Sequence, residues 1–129
     1  MKLLLDSSVF LWLNNRQRTL PEATLELLED PENDRLLSVA SCWELAIKHA
    51  SGKLNLPASP DVWFPARIDA LATDLLPIKA EHVYLAAALP FHHRDPFDRL
   101  LVAQSIIEKM PIVTADIRLA AYGVEILPA

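Results

Sequence analysis

The stretch Lys2-Leu3-Leu4-Leu5-Asp6-Ser7-Ser8 opens the chain and decides the fold that we predict. Its three consecutive leucines predict a short strand buried on both faces, as in the parallel sheets of α/β proteins. The acid that follows stands where this strand ends and the next helix begins. Ligands of open parallel sheets bind at the carboxyl ends of the strands, so Asp6 is a candidate site residue.

The rest of the chain repeats this order of strand and helix. Short apolar runs predict further strands at residues 35–39, 74–78, 111–114 and 124–127. Apolar periodicity and capping signals predict helices at residues 9–13, 20–28 after an N-cap at Thr19, 40–50, 61–72, 81–89, 96–109 and 117–121. Polar residues 14–18 are expected to end the first helix. The alternation predicts an α/β fold, a three-layer sandwich with a mainly parallel central sheet flanked by helices, in one domain over residues 1–129.

Composition limits the possible functions. The chain has 129 residues, 52% of them apolar, and a formal net charge of −5. An acidic protein lacks the general basic face that coats phosphates, so a nucleic-acid substrate would need a metal ion or a local basic patch. Two glycines are too few for the phosphate-cradling loops of nucleotide folds. A lone cysteine, Cys42, and the lack of a predicted membrane span or signal peptide favour a cytoplasmic protein.

Five acids stand where an apolar run ends or a helix begins. Asp6 and Asp116 could each simply cap the helix that follows, and Glu44 has capping-box spacing from Ser41. Asp95 precedes a proline and suits an N-cap, which leaves Asp98, in the first turn of the same helix, as the better ligand. Independent caps would more often be Ser, Thr or Asn, so the recurrence of acids favours a shared site.

A shared acidic site points to metal chemistry. Converging carboxylates repel one another, and a divalent cation relieves that repulsion. Oxygen ligands without cysteine select Mg²⁺ or Mn²⁺, which suit the attack of water on a phosphodiester. The predicted catalytic and metal-binding residues are Asp6, Glu44, Asp98 and Asp116, with Asp95, Ser7 and Thr114 in support.

Other conspicuous residues receive ordinary roles. Basic side chains near the acids in sequence, which could neutralise them or hold phosphates, are each expected to be solvated or salt-bridged: Lys48, Arg94, Arg99 and Arg118. His92 and His93 are expected to be exposed in a polar loop. The three tryptophans, Trp12, Trp43 and Trp63, are assigned to the core, since buried aromatics dominate cores.

Four segments together resemble the PIN-domain ribonucleases, and among them the VapC toxins of toxin–antitoxin pairs. They are Leu3-Leu4-Leu5-Asp6-Ser7-Ser8, Ser41-Cys42-Trp43-Glu44-Leu45-Ala46-Ile47-Lys48, His93-Arg94-Asp95-Pro96-Phe97-Asp98-Arg99-Leu100-Leu101-Val102-Ala103-Gln104 and Ile112-Val113-Thr114-Ala115-Asp116. The resemblance implies a Mg²⁺- or Mn²⁺-dependent endoribonuclease with Asp6, Glu44 and Asp98 as ligands and Asp116 completing the pocket. It also implies an RNA substrate, a homodimer, cytoplasmic residence and inhibition by a VapB-type antitoxin.

Alternative functions are distinguished by the same strand ends. A receiver-like signalling module needs an acid after its central strand, but the third strand here runs into Pro77-Ile78-Lys79. Phosphatases with a strand-end Asp nucleophile usually carry a second Asp two residues later, where this chain has Ser8. The remaining alternative is a non-catalytic PIN-like scaffold that binds RNA or protein.

Overall fold

The computed structural model describes residues 1–16 and 19–129, and within them every predicted helix and strand is present, with boundaries within two residues of prediction. The strands are β1 Lys2–Leu5, β2 Asp34–Ser38, β3 Thr73–Leu76, β4 Ile112–Thr114 and β5 Ile126–Pro128. The helices are α1 Ser7–Asn15, α2 Glu22–Glu29, α3 Val39–Ala50, α4 Pro60–Ala70, α5 Ala80–Ala88 and α6 Pro96–Glu108, and a 3-10 helix covers Ile117–Tyr122. The predicted polar stop after α1 includes Gln17 and Arg18, which lie outside the described residues.

The five strands form one sheet in the order β3-β2-β1-β4-β5, and all four pairings are parallel. β1 is central, with Leu4 opposite Leu36 of β2 and Ile112 of β4. This arrangement confirms the predicted α/β class and makes the sheet entirely parallel. It also places the carboxyl ends of β1, β2 and β4 side by side.

Alternation along β1 sends its leucines to two separate cores. Leu3 and Leu5 pack on one face in a cluster with Phe10, while Leu4 packs on the other with Val102. The first cluster also contains residues of α2, α3 and α4, and the second contains residues of α6. Helices therefore cover both faces, which is why the strand is apolar at successive positions.

Two predicted helix starts are wrong. α2 begins at Glu22 with Pro21 as its N-cap and no side-chain capping bond, so Thr19 is not the cap. Leu20 precedes a proline, which disfavours helical backbone there, and its side chain is buried in the core. α3 begins at Val39, because the Ser38 hydroxyl accepts from the Ala40 amide at 3.1 Å.

The assignment of the tryptophans to the core is partly wrong. Trp63 is 6% exposed and belongs to the core, and Trp12 packs against it while remaining partly exposed. Trp43 is 59% exposed. It lies on a stripe of α3 with Val39 and Ile47, four residues apart, and all three face solvent, while the buried side of α3 carries residues such as Leu45.

Candidate metal centre

The carboxyl ends of three neighbouring strands bring the predicted acids together. Asp6 follows β1, Glu44 lies on the helix that follows β2, and Asp116 follows β4. Asp98 joins them from the first turn of α6. The charges of Glu44 and Asp6 both raise the pKa of Asp98, so the three carboxylates lie within electrostatic reach of one another.

Asp6 uses its two carboxylate oxygens differently. Oδ1 accepts from the Val9 amide at 2.9 Å and so caps α1, as the alternative interpretation proposed. Oδ2 accepts from the hydroxyl of Thr114 on β4. Burial raises the pKa of Asp6, and the nearby charge of Glu44 raises it further. The capping bond thus fixes the rotamer of an acid whose ionised form needs a positive partner.

Glu44 has no capping role. The N-cap of α3 is Ser38, and Ser41 lies inside the helix, so the predicted capping-box alternative is wrong. Instead Glu44 Oε1 accepts from the buried Ser7 hydroxyl at 2.7 Å, and Oε2 lies 3.5 Å from Lys48 Nζ. Ser7 therefore orients the carboxylate, and Lys48 pairs with it on the same helix face.

Asp95 is the N-cap of α6, as predicted, and Asp98 remains the candidate metal ligand. Asp95 Oδ1 accepts from the Phe97 amide at 2.8 Å and from the Asp98 amide at 3.3 Å, which makes it the N-cap of α6. Asp98 has no capping bond and faces the other acids. Burial first and the charge of Asp95 second raise the pKa of Asp98 to about 7, and His93 partly offsets this.

His93 was expected to be exposed, and that expectation is wrong. Its side chain is 10% exposed, with Nε2 3.3 Å from Asp98 Oδ2 and 3.1 Å from Asp116 Oδ2. Nδ1 accepts from the Asp95 amide at 3.1 Å, so Nε2 must carry the proton that points at the two acids. The available signal was its position two residues before a capping Asp. His92, by contrast, is exposed as expected and contacts the Tyr122 ring.

Both carboxylate oxygens of Asp116 accept hydrogen bonds. Its Oδ1 accepts from the Arg118 amide at 3.1 Å and from Arg118 Nε at 2.9 Å. Its Oδ2 accepts from Arg118 Nη2 at 2.8 Å and lies 3.1 Å from His93 Nε2. These bonds, chiefly those of the Arg118 side chain, lower the pKa of Asp116 to about 2. The Asp116 amide also donates to Thr114 Oγ1 at 3.0 Å, and the same hydroxyl donates to Asp6.

Arg99 is neither solvated nor salt-bridged, contrary to prediction. It is 6% exposed, and its guanidinium donates to the carbonyls of Ala86 at 2.7 Å, Leu89 at 2.8 Å and Pro90 at 2.8 Å. The Phe91 ring covers it at 4.5 Å. Arg99 therefore holds the loop before α6, which carries His93, and does not face the acids. Of the other basic residues, Lys48 and Arg118 pair with acids as expected, and Arg94 is exposed.

The donor chemistry of this pocket fits a hard divalent cation. Most of its potential ligand atoms are carboxylate oxygens. One oxygen of Asp98, one oxygen of Asp116 and one ring nitrogen of His93 all lie within 4.8 Å of one another. Glu81, His82 and Glu108 also have potential ligand atoms within 4.8 Å of one another, at the other end of α6. There His82 caps α5 by accepting from the Lys79 amide at 2.9 Å, and Lys79 Nζ lies 3.6 Å from Glu108. The Lys79 ammonium already pairs with Glu108, and the His82 imidazole is already hydrogen-bonded. We therefore assign this second cluster a structural role.

An apolar groove of about 380 Å³ lies beside the acidic pocket, between α3, α5 and α6. Its lining includes Trp43, Val83, Phe97 and Leu100, and the Trp43 and Phe97 rings meet edge to face at 5.2 Å. Trp43 and Phe97 directly precede the site residues Glu44 and Asp98 in sequence. The groove therefore lies close to the site residues along α3 and α6, and it shares Trp43 with the solvent-facing stripe of α3. No helix in residues 1–16 and 19–129 has the length and apolar character needed to cross a membrane.

An acidic pocket at the carboxyl edge of a five-stranded parallel sheet agrees with the family that the motifs suggested. The PIN domain family model matches residues 3–125, and the chain belongs to this family. Within the family it is related to the VapC toxins. Ribonuclease VapC16 of Mycobacterium tuberculosis is 35% identical over 63 residues, which cover 49% of this chain and 43% of that protein. The match thus spans less than half of that relative's length.

Solved structures share the whole fold. VapBC2 from Rickettsia felis, solved bound to a DNA fragment from its promoter, aligns with a TM-score of 0.72 at 17% identity over 99% of this chain and 98% of that one. VapBC-5 from Mycobacterium tuberculosis aligns with a TM-score of 0.64 at 21% identity over 99% and 98%. FitAcB from Neisseria gonorrhoeae gives 0.63 at 19% identity over 97% and 96%. VapBC-5 is a member of the VapBC family of toxin–antitoxin systems. At such identities these structures establish the fold alone.

Proposed function

We propose that this protein is a metal-dependent endoribonuclease that acts as the toxin of a toxin–antitoxin pair in the cytoplasm. The observation that carries the proposal is the position of Asp98, a partly buried carboxylate close to the charges of Asp95, Glu44 and Asp6 that is costly to ionise without a cation. A pocket that serves only to hold the fold together has no need of such a group. Relationship to the VapC toxins makes RNA the substrate that we propose.

The side chains have separate roles in this proposal. Asp6, Glu44 and Asp98 hold Mg²⁺ or Mn²⁺, directly or through water, and Asp116 completes the acidic pocket. When bound, the cation supplies positive charge at the phosphate and Lewis acidity for the attack by water. Ser7 and Thr114 hold the carboxylates in their orientation through the bonds described above. Asp95 caps α6 and adds negative charge beside Asp98.

A cleavage assay tests the activity. Total cellular RNA is incubated with wild type and Asp98→Asn, each with Mg²⁺, Mn²⁺ or EDTA. We expect discrete fragments from wild type with metal only, since the variant loses one carboxylate of the ligand set. Asp61→Asn is the matched control, because Asp61 is an exposed acid in the first turn of α4. Fragments that persist in EDTA or with Asp98→Asn would contradict the metal mechanism. RNA binding without cutting would favour the scaffold alternative.

We further propose two protein partners. A VapB-type antitoxin covers the acidic pocket; the support for such a partner is that VapBC-5, a structural neighbour, belongs to a family of toxin–antitoxin systems. A second copy of the chain covers the apolar groove and the stripe of Val39, Trp43 and Ile47, because exposed apolar surface of this extent usually marks an interface.

The oligomeric state tests the second partner. We expect the purified protein to be a dimer by light scattering and Trp43→Glu to be a monomer. Val62→Glu is the control, since Val62 is 58% exposed on α4, away from the groove. A wild-type monomer, or a dimer that survives Trp43→Glu, would contradict the assignment of this face.

A further inference from the structure

Asp116 belongs to the proposed metal site, but hydrogen bonds already engage both of its carboxylate oxygens. A carboxylate has about four lone-pair positions, and Asp116 engages three donors of Arg118 and one of His93. The guanidinium forms a bidentate pair, with Nε on Oδ1 at 2.9 Å and Nη2 on Oδ2 at 2.8 Å. Asp116 therefore has no free oxygen lone pair to offer a cation while Arg118 stays in this position.

The same geometry shows that Arg118 can leave. Its side chain is 70% exposed, and its bonds with favourable geometry all go to Asp116. Nη2 also lies 3.1 Å from His93 Nε2, but that nitrogen carries a proton, so two donors face each other there. This contact is unfavourable for Arg118. The capping bond of the 3-10 helix does not depend on the guanidinium, since Asp116 Oδ1 caps the helix by accepting from the Arg118 amide.

We propose that Arg118 and a divalent cation compete for Asp116, and that the guanidinium released on metal binding holds a phosphate of the nucleic acid. The inference rests on the proposed function, because it takes the acidic pocket as the metal site. Two positive charges on one carboxylate repel each other, so a cation that enters weakens the pair with Arg118. The freed guanidinium remains on the rim of the pocket, where its planar donors match a phosphate.

The competition predicts an effect that ordinary phosphate-binding residues do not produce. Removing the guanidinium makes the metal bind more tightly and the nucleic acid bind less tightly. We expect Arg118→Gln to lower the dissociation constant for Mn²⁺ about three- to tenfold, the range for loss of an exposed competing charge pair. Arg118→Lys, which keeps the charge and loses the bidentate geometry, should fall between wild type and Arg118→Gln.

The first measurement is Mn²⁺ binding to the purified protein without RNA, followed by electron paramagnetic resonance of the free ion. Arg94→Gln is the matched control, because it removes the same charge from an exposed position in the loop before α6 that has no contact with Asp116. Tighter Mn²⁺ binding by Arg118→Gln than by Arg94→Gln supports the competition. Equal or weaker binding than in wild type overturns it, even if RNA is cleaved as proposed.

The second measurement is the binding of a fluorescent single-stranded RNA oligonucleotide in saturating Ca²⁺, which stands in for the metal. Arg118→Gln should bind at least threefold more weakly than wild type, and unchanged binding overturns the phosphate role. Absence of Mn²⁺ binding by every protein, wild type included, would overturn both this inference and the proposed function. A difference in metal affinity without any RNA cleavage would leave the competition supported and refute the nuclease.

Discussion

Replacing Asp98 with asparagine should stabilise the metal-free protein at neutral pH. Burial and the charge of Asp95 raise the pKa of this carboxyl from 3.8 to about 7. The rise is about three pKa units, each worth about 1.4 kcal/mol, so the ionised side chain opposes folding by at most about 4 kcal/mol. Coupling to the other acids shares that cost, and we expect Asp98→Asn to gain about 2 kcal/mol at pH 7.5.

The pH dependence gives this prediction its sign. The folded protein holds the Asp98 proton more tightly than the unfolded chain, so stability associated with that proton is complete below pH 3.8 and is lost as the pH rises to about 7. The gain from Asp98→Asn should therefore be large at pH 7.5 and small at pH 4. A carboxylate that only interacts favourably with the helix dipole stabilises the fold when it is ionised. Its replacement by asparagine would therefore lower stability at pH 7.5.

Urea denaturation in EDTA at the two pH values measures this effect. Asp61→Asn is again the control, since its loss removes only a favourable dipole interaction and should cost about 0.5 kcal/mol at neutral pH. If Asp98→Asn is destabilised at pH 7.5 as much as this control, the claim that Asp98 is strained without a cation is refuted. Added Mn²⁺ should stabilise wild type and not Asp98→Asn.

Three further predictions follow from other contacts. Mn²⁺ affinity should rise about tenfold per pH unit up to pH 7 and then level off, because Asp98 must lose its proton before it binds the ion. Calorimetric titrations at pH 6, 7 and 8 measure this affinity, and an affinity that does not change with pH would contradict the prediction. Arg99→Met should lose about 3 kcal/mol of unfolding free energy in urea, since it leaves buried carbonyls unpaired, while Arg94→Met at an exposed position should change little. The hydrogen bond with His82 lowers the pKa of Glu108, so Glu108→Gln should cost about 0.5 kcal/mol of unfolding free energy above pH 4.5. This loss should shrink as the pH falls from 4.5 through the lowered pKa of Glu108, and a loss that is independent of pH would rule out this ion pair as the cause.

The sequence predicted the fold well because local and global signals agree. The leucines of β1, the Asp95-Pro96 start of α6 and the apolar run of β4 each carry enough local information to place an element. The strand order β3-β2-β1-β4-β5 was not predicted, because parallel crossovers are compatible with more than one order. The starts of α2 and α3 were misplaced by two residues and by one residue. Pro21 and Ser38 determine these starts through the backbone and the N-cap, which the apolar pattern does not show.

Side-chain surroundings were less predictable. His93 and Arg99 carry no local mark that separates a buried polar residue from an exposed one. Their surroundings come from elements distant in sequence, such as Asp116 and the end of α5. Trp43 was predicted to be buried but is exposed. An aromatic residue on a helix indicates burial, but it does not show whether another part of the chain covers the side chain. The predicted roles of the acids as metal ligands stay predictions, although their proximity is a property of the fold.

The central position of β1 has a consequence for how the protein is made. Asp6 and Thr114, whose side chains bond each other, are 108 residues apart, and β4 must pair with the first strand to join them. Contacts between such distant segments form slowly, because a long loop has to close first. A ribosome-bound chain that still lacks β4 has its opening strand unpaired on one side. The acidic pocket is therefore assembled only after β4 and Asp116 have been synthesised.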